Sequence, residues 1–351
     1  MKSYNFYESG QLEAALQMPN IELGEEYLPS EALIQAVNVA LMLQKPLLLT
    51  GLPGTGKTEL AYHIAKHFGW GDVEYFATRT DSMFTDLLYQ YDSLAHFHKV
   101  NIDSGKGCTE LTAPAIEERY IHYVALGKAI CNSAINSQKA ANVETSSCRT
   151  VVLIDEIDKA PRDLPNDILT IIETMSFEVP ELKTAQQEGL SQNEVPIYLK
   201  QGDPNCKPVV ILTSNSEKTL PDAFLRRCVF FHIQMPEDTQ LMEILLSKKS
   251  ILPSLGQSEA KEYITLFRNL SSLIRGKQPA THEMILWVWW MRQHGFIADD
   301  LRRFDLPPER SEILLSGISI LAKETADWKS LTDAVRQRTI PSGADWNVDP
   351  E

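Results

Sequence analysis

Short, almost wholly apolar runs punctuate the first two thirds of the chain, at residues 47–50, 151–154 and 209–212. Runs of this length, bounded by polar or turn residues, fit strands buried on both faces, as in a parallel sheet. Residues 73–77 fit a further strand. Between them the period lengthens from continuous to helical. Ser30 precedes a stretch with Leu33, Val37, Ala40 and Leu41 on one side, which predicts a capped helix. Residues 58–68 place Leu60, Ala61, Ile64, Ala65 and Phe68 inward on a second helix, and residues 164–175 form another amphipathic stretch. Residues 87–98 read as helix, and residues 116–130 as helix in part. Residues 101–112 and 136–148 are rich in Ser, Thr, Asn and Gly and read as loops. Residues 181–207 form a long polar excursion with room for a strand at 195–199.

After Met235-Pro236 the pattern is helical throughout, at 237–246, 259–274, 282–292, 312–322 and 326–337. The expected organisation is therefore an N-terminal segment 1–29, an α/β domain 30–236, a smaller helical domain 237–340, and a flexible acidic tail 341–351. No internal repeat is visible.

Composition narrows the class. Hydrophobic residues make up 43% of the 351, which supports a folded core rather than a disordered chain. Formal net charge is −14, which disfavours broad binding to nucleic acid, where clustered positive charge meets phosphate. Five cysteines, Cys108, Cys131, Cys148, Cys206 and Cys228, include no C-x-x-C pair, so neither a zinc site nor a disulfide framework is indicated. Reduced thiols in a cytoplasmic protein are expected. The first ten residues lack an apolar signal region, and no run is long enough to span a membrane.

The first apolar run leads into Gly51-Leu52-Pro53-Gly54-Thr55-Gly56-Lys57-Thr58, a full G-x-x-x-x-G-K-[ST] match. Glycines let the backbone wrap an anion with its N–H groups inward, and the following helix adds the positive end of its dipole. Lys57 is then placed for the β- and γ-phosphates, and the Thr58 hydroxyl for Mg²⁺. A chance glycine turn would need neither the strand before it nor the amphipathic helix after it. The second run ends in Asp155-Glu156. Carboxylates at the C-terminal end of a parallel strand lie where open α/β sheets bind ligands. Asp155 can hold the Mg²⁺ shell, and Glu156 can polarise a water toward the γ-phosphate. The third run ends in Thr213-Ser214-Asn215, whose amide can hold that water from a neighbouring strand tip. A turn residue capping a strand is the plain alternative for Asn215.

Together GLPGTGKTELA (51–61), VVLIDEIDKAP (151–161), VVILTSN (209–215) and LPDAFLRRC (220–228) resemble the AAA+ ATPases, and within them the MoxR family. The resemblance runs from about residue 28 to 236 and weakens toward 292. It implies a P-loop NTPase parallel sheet flanked by helices, followed by a smaller all-helical lid. ATP and Mg²⁺ are the implied cofactors. Asn215 is implied to be the sensor-1 residue, and Arg227, with Arg226 beside it, an arginine finger completing a neighbouring subunit's site. More weakly, Tyr27 and Leu28 are implied to lie near the adenine, and a β-hairpin insertion somewhere in 101–148. The chain departs from many relatives in its lid. Lys277-Gln278-Pro279-Ala280-Thr281-His282-Glu283 has no arginine at the helix start, leaving Arg275, Lys277 or His282 as substitutes for sensor 2.

The expected function is ATP hydrolysis by a ring, a hexamer, that remodels a protein client in the manner of a chaperone. A client carrying a von Willebrand factor A domain is what the family implies. Two rivals stand. One is a nucleotide-dependent scaffold with little turnover, which the departure at sensor 2 favours and Glu156 and Asn215 oppose. The other is a nucleic-acid motor or loader, which the acidic balance opposes and DNA-stimulated hydrolysis would reveal. His63 and His67, spaced as metal ligands can be, lack the accompanying carboxylate of such motifs. Trp287, Trp289 and Trp290 cannot all face one core from one helix.

Overall fold

A computed structural model describes residues 23–104, 112–140, 149–183, 197–216, 218–296, 307–337 and 339–340. The chain divides into two compact units, one of residues 29–234 and one gathering the described residues on either side of it.

The larger unit opens with helix α1 (Glu31–Leu43). The Ser30 hydroxyl accepts from the Leu33 amide at 3.3 Å, and Leu33, Val37 and Ala40 are buried. A cap of this kind stabilises a helix by about 1 kcal/mol. Strand β1 (Leu47–Gly51) is buried along its whole length. Helix α2 (Lys57–Phe68) then buries Leu60, Ala61, Ile64 and Ala65. Phe68, expected inward, is instead 44% exposed and stacks on Trp70 with ring centres 4.5 Å apart. The helix stops at Gly69, so the last ring turns over the cap instead of continuing the buried stripe.

Strand β2 is Glu74–Ala77. The next stretch corrects the helix expected over 87–98. Tyr89–Tyr91 is a short strand, β3, and helix α3 begins only at Ser93 and runs to Ser104. Asp92 divides them, its carboxylate accepting from the Ala95 amide at 2.8 Å as a helix cap does. Helix α4 (Ala113–Tyr120) leads into strand β4 (Ile121–Tyr123), which pairs antiparallel with β3. This two-stranded ribbon has one arm inside the stretch where a hairpin was implied. Helix α5 (Ala125–Ala140) reaches into residues expected to be loop; residues 141–148 lie outside the described residues.

Strand β5 (Val151–Asp155), helix α6 (Leu164–Thr174) and strand β6 (Ser176–Glu178) follow. Strand β7 (Leu199–Gln201) pairs antiparallel with β6, later in the chain than the strand expected at 195–199; residues 184–196 are not described. Strand β8 is Val209–Ser214. After a one-turn helix at Asp222–Leu225 comes strand β9 (Val229–Ile233), which sequence reasoning did not identify.

Among the described residues the main sheet has the order β2-β5-β8-β1-β9, and every pairing in it is parallel. The fold class is thus the expected α/β one, a parallel sheet flanked by helices with a helical region after it. Central strands β5, β8 and β1 carry side chains such as Leu48, Val152 and Leu212 at 0–2% exposure. Burying each such side chain contributes about 1.5–3 kcal/mol.

The second unit contains helices α7 (Asp238–Ser247), α8 (Gln257–Ser271), α9 (Thr281–Gln293), α10 (Pro308–Leu321) and α11 (Thr325–Gln337). Trp287 is fully buried and meets Tyr263 edge-on at 6.0 Å, whereas Trp289 and Trp290 are only partly buried. Glu26 ties the preceding segment to this unit, its carboxylate accepting from the Ser250 amide at 2.8 Å and hydroxyl at 2.7 Å. Tyr27 and Leu28 fall in this same unit. Arg275, Lys277 and His282 are exposed on it, and the Arg275 backbone amide donates to Asp327 at 2.9 Å. No described helix is long and apolar enough to cross a membrane. One thiol departs from expectation: Cys206 is disulfide-bonded, while Cys131 and Cys228 are free. Pairing depends on how close two cysteines come in space, which their spacing along the chain does not reveal.

Candidate functional site

Three strand ends meet at one edge of the main sheet. Strand β1 ends in Gly51, whose φ of 146° lies where glycine is favoured. A side chain there would meet the Ile233 carbonyl of β9 at 2.5 Å, so any Cβ would force the two strands apart. Gly54 and Gly56 also have positive φ, at 78° and 87°, which turns successive backbone N–H groups toward one concavity. The Thr55 hydroxyl donates to the Leu52 carbonyl at 2.8 Å and holds the loop closed. Leu52 and Pro53 sit on its exposed outer side.

Lys57, the first residue of α2, is 7% exposed. Its ammonium donates to the Gly51 carbonyl at 2.8 Å and the Leu52 carbonyl at 2.9 Å. Burial pushes its pKa below the ordinary lysine value, and the charges of Asp155, Asp158 and Glu156 oppose that shift. The ammonium is therefore held ready for an anion in a site already rich in carboxylates. Next along the helix, the Thr58 hydroxyl lies 3.4 Å from both carboxylate oxygens of Asp155.

Asp155 ends β5, and Glu156 follows with a left-handed φ of 56°. For a non-glycine residue that conformation costs roughly 1–2 kcal/mol, so neighbouring contacts must hold it. Thr213 of β8 does so. Its buried hydroxyl accepts from the Glu156 amide at 2.9 Å and donates to Asp155 Oδ1. Asn215, just beyond β8, donates its side-chain amide to Glu156 Oε1 at 3.0 Å. Lys159 closes on the other oxygen, Nζ to Oε2, at 2.5 Å. Asp158, 2% exposed, accepts from the Asn215 backbone amide at 3.4 Å.

The fold thus brings together Gly51–Thr58, Asp155, Glu156 and Asn215. Thr213, Asp158 and Lys159 were missed. Thr213 carried a signal, since residues two apart on a strand share a face and Asn215 had been singled out. Asp158 and Lys159 stand in the same run as the carboxylate pair, but only the turn over Ile157–Lys159 folds them back on it.

Arg226 and Arg227 are not part of this cluster. They precede β9, whose first residue Val229 pairs with Leu47 at the start of β1, while Gly51 at its end pairs with Ile233. The two arginines therefore lie at the opposite edge of the sheet from the glycine loop. Both are exposed, and Arg227 lines a depression with Lys45, Pro46, Lys207 and Glu173. Its Nε is 3.9 Å from Glu173 Oε1, too long to fix it in place.

The sequence profile of the ATPase family associated with various cellular activities (AAA) matches residues 47–237, more than half of the chain. The chain belongs to that family. Its AAA domain contains every residue of the cluster, and both arginines as well. No curated protein matches the sequence. Solved structures of Thermotoga maritima RuvB are similar. One variant is 14% identical with a TM-score of 0.44, the match covering 89% of this chain and 75% of that one. Another structure, titled as the Holliday junction branch migration motor, is 16% identical with a TM-score of 0.38, covering 85% and 69%. Likeness at those scores says nothing about what this AAA protein acts on.

Among the described residues no group of three or more His, Cys, Asp or Glu is placed to hold a metal. His63 and His67 stack on each other at 6.0 Å. The hydroxyl and carboxylate of Thr58 and Asp155 are a different matter. Hard oxygen donors 3.4 Å apart suit Mg²⁺, which keeps most of its waters and takes few protein ligands.

Proposed function

We propose that this chain is an ATP-hydrolysing, MoxR-like AAA protein that works as a head-to-tail hexameric ring and remodels a protein client. The observation that carries the proposal is the Asn215–Glu156 contact at 3.0 Å, formed beside Asp155 and Thr58. A strand-tip amide bonded to a carboxylate is an arrangement that can hold and deprotonate a water, whereas a phosphate-binding scaffold needs neither group.

In this reading the backbone of Gly51, Leu52, Pro53, Gly54, Thr55 and Gly56 cradles the phosphates, and the Lys57 ammonium leaves its two carbonyls for them. Thr58 and Asp155 hold Mg²⁺, which when bound offsets the charge of the phosphate oxygens. Glu156 takes the proton of the attacking water, and Asn215 keeps the carboxylate aimed at it. Arg226 and Arg227 face away from their own loop, which supports a role at the next protomer's phosphate. A heterologous interface of that kind closes into a ring. The client class, including proteins with a von Willebrand factor A domain, follows from the MoxR resemblance. A net charge of −14 supports a protein client over nucleic acid.

The test is steady-state phosphate release with and without duplex DNA, beside binding of a fluorescent ATP analogue. Glu156→Gln is expected to bind the analogue normally and to lose roughly 10²–10⁴ in rate. A Glu156→Gln protein that hydrolyses at the parental rate sinks the assignment. Strong stimulation by DNA transfers the chain to the nucleic-acid motors.

A further inference from the structure

Glu156 is held from two sides, by Asn215 and by Lys159. Its backbone is fixed by the Thr213 hydroxyl, so the direction of its carboxylate is set by Asn215 at Oε1 and Lys159 at Oε2. Lys159 is itself anchored. Its amide donates to the Glu156 carbonyl at 2.9 Å within the Ile157–Lys159 turn, and its carbonyl accepts from Lys218 Nζ at 3.2 Å. Lys218 lies in the segment after β8 that also carries Asn215. The ion pair therefore links the loops after β5 and β8 through the one carboxylate that must meet a water.

We propose that Lys159 is a positioning residue that restrains hydrolysis by occupying Oε2 of Glu156. This inference rests on Glu156 being the base. An oxygen bonded to an ammonium must be released, or shared, before it can take a proton from water. The two side chains are 37% and 38% exposed, so the pair is weak enough to open. Exposed pairs of this kind shift an equilibrium by up to about fivefold and are screened by salt. Lys159 thus sets how often Glu156 is open to water without preventing it.

The experiment measures phosphate release by wild type, Lys159→Met, Lys159→Arg and Glu156→Gln across rising KCl. Protein concentration is kept where the rate per subunit no longer increases. Lys159→Met should raise kcat by about two- to fivefold with KM for ATP unchanged, and Lys159→Arg should keep the wild-type rate. Salt should raise wild-type kcat toward that of Lys159→Met and leave Lys159→Met flat. Unchanged or lower kcat in Lys159→Met overturns the proposal, as does an equal salt response in both proteins. Should Lys159→Met fail to bind the fluorescent analogue, Lys159→Gln takes its place under the same criteria. An inactive Glu156→Gln beside an unaltered Lys159→Met removes only the restraint. A fully active Glu156→Gln removes the base assignment itself.

Discussion

Replacing Thr213 with valine tests whether the site is built by the neighbour strand or by the motif that contains it. Valine keeps the β-branched shape in a position that is 0% exposed, so packing changes little. What is lost is one hydroxyl with two partners, the Glu156 amide and the Asp155 carboxylate. A buried amide left unsatisfied costs about 1–3 kcal/mol, and a bond to a charged group contributes about 1.5–3. One hydroxyl serves both, so the sum is an upper bound and about 2–4 kcal/mol is expected. At about 2–4 °C per kcal/mol for a unit of this size, the AAA domain should melt roughly 4–16 °C lower. The sharper assay is hydrogen exchange at the Glu156 amide, which the Thr213 bond protects. Thr213→Val should remove that protection and reduce ATP turnover, because Glu156 loses the contact that opposes its left-handed strain. Thr213→Ser should retain most of both. Unchanged exchange at Glu156, with a melting temperature within about 1 °C of wild type, would refute the reasoning.

Lys57→Ala should abolish binding of a fluorescent ATP analogue, and unchanged affinity would sink the phosphate-loop assignment. Lys57→Met should also bind no analogue, yet leave the nucleotide-free protein as stable as wild type or more so, since burial lowers the Lys57 pKa. The sign follows from linkage. Unfolded Lys57 binds its proton up to about 10.5, folded Lys57 releases it earlier, so wild-type stability gains on Lys57→Met as pH rises through that window. Parallel urea melts at several alkaline pH values check it. Gly51→Ala should destabilise the AAA domain and weaken ATP binding together, because a Cβ meets the Ile233 carbonyl at 2.5 Å; a melt matching wild type would count against the close approach. Arg226→Ala/Arg227→Ala protein should be inactive alone and regain activity when mixed with Lys57→Ala protein, as mixed interfaces contain one complete site. Full activity of the arginine variant alone, measured by phosphate release, would contradict a trans role.

Much of this site could be read in one dimension because its chemistry is carried by contiguous backbone. A phosphate loop needs glycines at fixed offsets and a lysine at the helix start, so residues 51–58 announce themselves. Asp155 and Glu156 do so by ending an apolar run, and Asn215 by ending another. What needed the tertiary structure is what depends on pairing between distant segments. Thr213 acts on Glu156 only because β8 lies beside β5, with Leu153 opposite Ile211 in the register. The three-residue strands β3 and β4 are too short to show a period, and the apolar spacing of Leu87, Leu88, Tyr91 and Leu94 imitates a helix. Strand β9 escaped notice because an edge strand is at most half-buried, on alternate residues only, and His232 interrupts its apolar run. Its position nevertheless decides that Gly51 can be nothing but glycine and that Arg226 and Arg227 point away from their own site. Local sequence determined which groups could do chemistry; strand order determined which of them meet, because hydrogen-bond register between strands is a property of the assembled sheet and of no single segment.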